Sequence, residues 1–208
     1  VYVDIDPKTF NMDINKIEAK ITPKTKAIMP VHLYGQPCDM DPLMKLAEKH
    51  GLYVIEDAAQ AMGSKYNDKM ICTIGDIGCI SFYPSKNLGA FGDGGMLTTN
   101  DEKLAEKIRM IISHGSKKKY YHETLGVNSR LDSIQAAILD IKLKYLDEYC
   151  EARYNAAMKY NEKFKGIFET PYIMPGVKHI FHQYSIRVKN RDKMMEFLKS
   201  NGIPSMIY

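Results

Sequence analysis

Ile77-Gly-Cys-Ile-Ser-Phe-Tyr83 runs into Pro84-Ser-Lys-Asn-Leu-Gly89. A short, β-rich stretch that is apolar at successive positions has the pattern of a strand buried on both faces. Pro84 then forces the chain out of strand geometry. Working outward, Leu52-Tyr-Val-Ile55 is a second strand of this kind and ends in Glu56-Asp57. Gly95-Met-Leu-Thr-Thr99 is a third, and Lys26-Ala-Ile-Met-Pro-Val31 leads into the loop His32-Leu-Tyr-Gly35. Between them Pro42 to His50 has helical spacing, with Leu43, Leu46 and Ala47 on one face and Gly51 as the stop. Asn100 or Asp101 caps a helix to about Ile112, with Leu104, Ile108 and Ile111 in register. Doubly buried strands separated by helices predict an α/β protein with a mostly parallel sheet.

Beyond this centre, Val1-Tyr-Val-Asp-Ile-Asp6 reads as a strand in progress. From Arg130 to about Lys165 apolar residues recur at three- and four-residue steps (Leu131, Ile134, Ile138, Ile141, Tyr145, Tyr149), the rhythm of one long amphipathic helix. Gln183-Tyr-Ser-Ile-Arg-Val188 reads as a strand, and 192–200 as a helix ended by Gly202. Residues 1–150 are therefore expected to form a large-domain portion, and 151–208 the start of a smaller α+β domain. The abrupt first and last residues suggest a fragment of a longer protein.

The 208 residues are 45% hydrophobic and 26% charged, which suits a chain with a real core. A net charge of +4 is too slight to mark a nucleic-acid binder. The run Lys117-Lys-Lys119 reads as a solvated loop before it reads as a phosphate tract. No stretch of about 18 uninterrupted apolar residues spans a membrane. Cys38, Cys72, Cys79 and Cys150 form no CxxC pair, and no histidine stands at metal-ligand spacing, so no metal is expected. Four unpaired thiols fit a reducing, cytoplasmic setting.

Asp57 closes a buried strand, where ligands gather in open α/β sheets. From position alone it is either a ligand contact or a structural cap. Lys86 follows the second strand after a turn. A lone lysine is by default a surface residue, but Ser81, Ser85, Asn87 and Gly89 around it suggest a tight polar pocket. An aldehyde cofactor needs a lysine amine that can lose its proton, which low-dielectric surroundings favour. A carboxylate opposite a pyridine nitrogen would complete such a site. Gly92-Asp-Gly-Gly95 is either a close-approach turn or a simple reversal before a strand.

Five motifs in order carry a resemblance: Pro30-Val-His-Leu-Tyr-Gly35, Glu56-Asp-Ala-Ala-Gln-Ala61, Ser81 to Gly89, Gly92 to Gly95, and Gly126-Val-Asn-Ser-Arg-Leu-Asp132. Together they resemble the DegT/DnrJ/EryC1/StrS sugar aminotransferases, fold-type-I enzymes dependent on pyridoxal phosphate (PLP). The resemblance implies a large domain of mostly parallel sheet flanked by helices, and part of a small α+β C-terminal domain. It implies that Lys86 carries the cofactor covalently and moves the substrate proton, that Asp57 pairs with the pyridine nitrogen, that Gln60 contacts the phenolic oxygen, and that Ser81 binds the phosphate. It also implies that Asn128 reaches that phosphate from a neighbouring subunit, hence a homodimer with shared sites. Read without the family, Asn128 is a turn residue before a helix.

Lysine at position 86, where dehydratase relatives carry histidine, favours transamination. Lys86-Asn-Leu-Gly89 and Asn128-Ser-Arg-Leu-Asp132 look more like relatives that aminate C3 of a nucleotide-linked keto-sugar, with an amino acid such as glutamate as donor. Two rivals stand beside this: a non-catalytic regulator on the same scaffold, and an α/β binding module with Lys86 on its surface.

Overall fold

A computed structural model describes residues 1–208. In chain order its elements are β1 (Ala27–Ile28), α1 (Met40–His50), β2 (Tyr53–Asp57), β3 (Lys65–Tyr66), β4 (Lys69–Met70), β5 (Ile77–Ser81) and β6 (Gly95–Thr98). There follow α2 (Glu102–Ile112), β7 (Ser116–Lys118), β8 (Tyr121–His122), α3 (Ser133–Leu143), α4 (Leu146–Phe164), β9 (Val177–Lys178) and α5 (Arg191–Ser200). The central sheet runs β1-β2-β5-β6. β1, β2 and β5 pair in parallel, and β6 returns antiparallel along β5.

The two faces of this sheet differ. Val54, Glu56, Gly78 and Ile80 point one way and are buried; Ile55, Asp57, Cys79 and Ser81 point the other and are half-buried. Strand side chains alternate, so this division follows from register alone. On the buried side Val54 and Ile28 pack with Met40, Leu43 and Ala47 of α1. Burying each of the larger of these side chains, Val54, Ile28, Met40 and Leu43, contributes about 1.5–3 kcal/mol. A second cluster joins Ile80 and Phe82 to Leu139, Leu146, Cys150 and Ile180.

Helix ends follow their residue chemistry. Asp101 caps α2, its carboxylate accepting from the N–H groups of Lys103 (2.7 Å) and Leu104 (3.2 Å). Gly51 ends α1 in the left-handed conformation at φ 61°, where a side chain would be strained.

Three expectations need correction. The long helix is two helices, because Tyr145 (φ −107°, ψ 1°) leaves helical geometry and its N–H takes a tighter bond to Lys142 O at 3.0 Å. Lys142 is held here by donating to Gly89 O, and it lies over the Phe91 ring. Leu139, Leu146 and Cys150 then all reach the same core. Residues 183–188 form no ladder; only Arg187 bridges, to Glu169. The opening segment is likewise a single bridge, Ile5 to Met12. No helix is long and apolar enough to cross a membrane.

Candidate active site

The site is assembled where β2 and β5 end side by side. Asp57 stands opposite Cys79 in the ladder, two residues before Ser81. The Asp57 backbone is held on both sides: its N–H donates to Pro30 O (2.9 Å) and its carbonyl accepts from His32 N (2.9 Å). One carboxylate oxygen accepts from Ala59 N at 3.0 Å. That contact fixes the side chain on the open face of the sheet. Cys79 lies near enough that the Asp57 charge adds to burial in pushing its thiol pKa up.

Gln60 sits in the turn after β2. Its side-chain oxygen accepts from Tyr34 N at 2.7 Å, and its amide nitrogen donates to the Tyr208 hydroxyl at 3.2 Å. Tyr34 has φ 59°, an uncommon conformation for a non-glycine residue, sustained here by the Gln60 bond. Its ring packs edge-on against Tyr208 at 5.4 Å.

Ser81 is the last residue of β5. Its oxygen accepts from Tyr83 N at 3.2 Å, which leaves the hydroxyl proton to donate elsewhere. The turn closes when Lys86 N donates to Tyr83 O at 2.9 Å. A Cβ on Gly89 would lie 2.4 Å from Pro84 O, so only glycine fits this exit. Lys86 is half-buried, while Asn87, Leu88, Gly89 and Ala90 behind it are buried. The sheet thus brings Asp57 and Ser81 to adjacent strand ends, with Lys86 just beyond. Asn128 is not among them: it is exposed and bridges Ser113 in the segment before α3.

The roles of two further groups near this site were not evident in the sequence. The first is the buried pair His32 and Glu56, 3.0 Å apart and both fully excluded from solvent. Glu56 also accepts from Cys72 N (2.8 Å), Ile74 N (3.0 Å) and Gly75 N (2.7 Å). Cys38 N donates to His32 Nδ1 at 3.0 Å, which leaves Nε2 to donate to Glu56. Burial pushes the Glu56 pKa up, but His32 and the backbone donors outweigh it and hold the carboxyl below its ordinary 4.5. The pair ties β2 to the loop that leads into β5, beneath the strand ends.

The second is His182, from the segment after β9. Its Nδ1 lies 3.0 Å from Asn87 Oδ1. Burial, then the Lys86 and Arg153 charges, lower its pKa to about 4. Its partner in the pair is 95 residues away, too far for local spacing to reveal.

A strand-end acid beside a lysine-bearing turn, on a parallel sheet with one antiparallel edge, decides the family when set against the model that matches residues 1–208. The chain belongs to the DegT/DnrJ/EryC1/StrS aminotransferase family. It is 54% identical over its whole length to the pleiotropic regulatory protein of Geobacillus stearothermophilus, covering 57% of that protein. It is 50% identical, again over its whole length, to the UDP-N-acetyl-3-dehydro-alpha-D-glucosamine 3-aminotransferase of Acidithiobacillus ferrooxidans, covering 57% of it. S. venezuelae DesV, solved in complex with a ketimine intermediate, superposes at a TM-score of 0.95 with 43% identity, over 98% of this chain and 56% of that one. The chain thus spans little more than half the length of the relatives it matches, and it has the fold-type-I large-domain architecture expected from the sequence.

Proposed function

We propose that this chain carries the reactive lysine of a PLP-dependent aminotransferase that moves an amino group from an amino acid, glutamate by family resemblance, to C3 of a nucleotide-linked keto-sugar. The observation that carries the reading is that β2 and β5 end side by side with Asp57 and Ser81 at their ends, and that the turn leaving β5 carries Lys86. The residues fit the group. The Asp57 carboxylate is anchored through one contact to a backbone N–H, Ser81 keeps a free hydroxyl proton, and the Gln60 amide is fixed by Tyr34.

Bound here, PLP supplies an aldehyde for an amine to join and a protonated ring that accepts electrons from the carbon losing its proton. Lys86 Nζ takes that proton and returns it, as general base and then acid. Asp57 holds a proton on the ring nitrogen. Gln60 Nε2 donates to the phenolic oxygen, and Ser81 Oγ donates to the phosphate. Asn128 serves the site of a second copy, so the working unit is a homodimer with shared sites. Its exposure, in a segment bridged to Ser113, supports that assignment. The division into a PLP-binding portion (1–150) and the start of a small domain (151–208) belongs to the same reading, with α4 spanning the boundary. Cys38, Cys72 and Cys150, free and buried, support a reducing compartment, the cytoplasm.

The test mixes the protein with PLP, traps the adduct with borohydride and maps the labelled peptide by mass. Label on Lys86, lost in Lys86→Ala, is the expected result. Scattered label on surface lysines would sink the reading. Label on Lys86 with no amino transfer to any keto-sugar would favour the regulator suggested by the name of the G. stearothermophilus relative.

A further inference from the structure

Lys86 is held from two directions. One is the strand-end turn already described. The other is a segment nearly a hundred residues later, 179–184, which lies across the same corner of the molecule. Ile180 N donates to Gly35 O at 3.1 Å. Gly35, at φ +94°, admits this approach: a Cβ there would lie 2.7 Å from Ile180 Cγ1, 3.1 Å from His182 N and 3.2 Å from Gln60 O. The backbone of His182 therefore runs beside the Gln60 turn. Arg153 of α4 donates to the carbonyl oxygens of Phe181 (3.3 Å) and His182 (3.4 Å) and fixes the segment from the other side.

The His182 ring is then aimed at Asn87, the residue after Lys86. Asn87 is buried, and its amide nitrogen faces Cys150 Sγ at 3.9 Å, so its oxygen faces His182 at 3.0 Å. An oxygen acceptor requires the proton of His182 on Nδ1. Burial first, then the Lys86 and Arg153 charges, lower the ring's pKa to about 4, so at neutral pH it carries one proton, the one given to Asn87.

Resting on the functional reading above, we propose that His182 is a positioning residue for Lys86: its Nδ1–H, given to Asn87, locks the backbone that carries the reactive amine. The C-terminal segment thereby contributes to the site without touching the cofactor. A hydrogen bond removed from a buried acceptor leaves that acceptor unpaired and frees the segment it held. The amine then samples orientations in which it cannot attack, which slows its reaction with an aldehyde.

The experiment measures the rate at which PLP labels Lys86 in the full protein, trapped with borohydride and counted by peptide mass, with melting temperature read on every variant. His182→Ala and Asn87→Ala are each expected to slow labelling about tenfold. The double variant should be no slower than either single one, because both remove the same bond. His182→Asn, whose amide N–H can replace Nδ1–H, should recover most of the rate. If His182→Ala does not fold, Asn87→Ala and His182→Asn still report. Labelling at the wild-type rate in the single variants overturns the proposal. So do multiplying effects in the double variant, or His182→Asn no faster than His182→Ala. Wild-type protein that takes no label at Lys86 overturns the functional reading and this inference with it. Normal wild-type labelling beside unaffected variants overturns this inference alone.

Discussion

Residues 26–98 and residues 113–143 both carry regularly spaced apolar residues, but the first buries alternate strand positions within its own chain and the second leaves most of its apolar residues open. In the first region Ile28, Val54, Ile80 and Phe82 are buried by the chain itself. In the second, Leu125, Val127, Ile134 and Ile141 stand 94, 56, 75 and 60% exposed, and only Leu139 of α3 is buried. Periodicity reports which residues are apolar but not what covers them. Scattered exposed hydrophobes are ordinary; a run of them along one segment marks a surface meant for contact. The proposed homodimer, with Asn128 in the middle of this stretch, supplies such a contact.

The contrast can be broken by mutation. The largest effect belongs to the self-buried region: Glu56→Ala leaves three backbone N–H groups and His32 without their acceptor and should cost about 3–5 kcal/mol in urea unfolding. Next, Leu139→Ala should cost about 2–5 kcal/mol, while Ile134→Lys, on the open side of the same helix, should change monomer stability by less than about 0.5 kcal/mol. Sedimentation should show Ile134→Lys weakening self-association. Equal costs for the two substitutions would mean that α3 is part of a single core and that the contrast is false.

A further effect is in acid. His179 and His182 fall from an ordinary 6.5 to about 4, His179 through burial and His182 through burial and its cationic neighbours. Below 6.5 the unfolded chain takes up protons that the folded chain refuses. Stability should therefore hold above about pH 7 and decline as pH drops from 6.5 toward 4. His179→Gln should flatten part of that decline in a melting-temperature series. An unchanged slope would show that the His179 ring protonates as readily in the folded state as in the unfolded one.

Much of the sheet was legible, because Leu52–Ile55 and Ile77–Tyr83 are short β-rich runs set off by Gly51 and Pro84, too short for helices. The strand at 183–188 was misread because Tyr184, Ile186 and Val188 alternate correctly, yet a strand also needs a partner, and Glu169 alone stands opposite. The break at Tyr145 was hidden because Ile141, Tyr145 and Tyr149 keep helical step straight through it. At the site, Asp57, Gln60, Ser81 and Lys86 sit within motifs that read locally. Glu56 was visible only as the residue before Asp57. Its role depends on His32 and on residues 72–75, which spacing does not bring together. His182 depends on Asn87 in the same way. Position-by-position reading finds the groups that would face a ligand more readily than the groups that hold them in place.

The docking of Ile180 on Gly35 has a consequence for how the molecule is made. Synthesis proceeds from the N-terminus at about 5–20 residues per second, so ~7–30 s separate the emergence of Gly35 from that of the segment that covers it. During that interval β1, β2 and α1 can assemble through contacts close in sequence, while the corner beside Gln60 stays open to solvent. That corner is therefore closed on the ribosome only after the sheet beside it. A chain stalled before His179 would display the lysine turn without its back wall, a window in which a chaperone or a protease meets the nascent protein first.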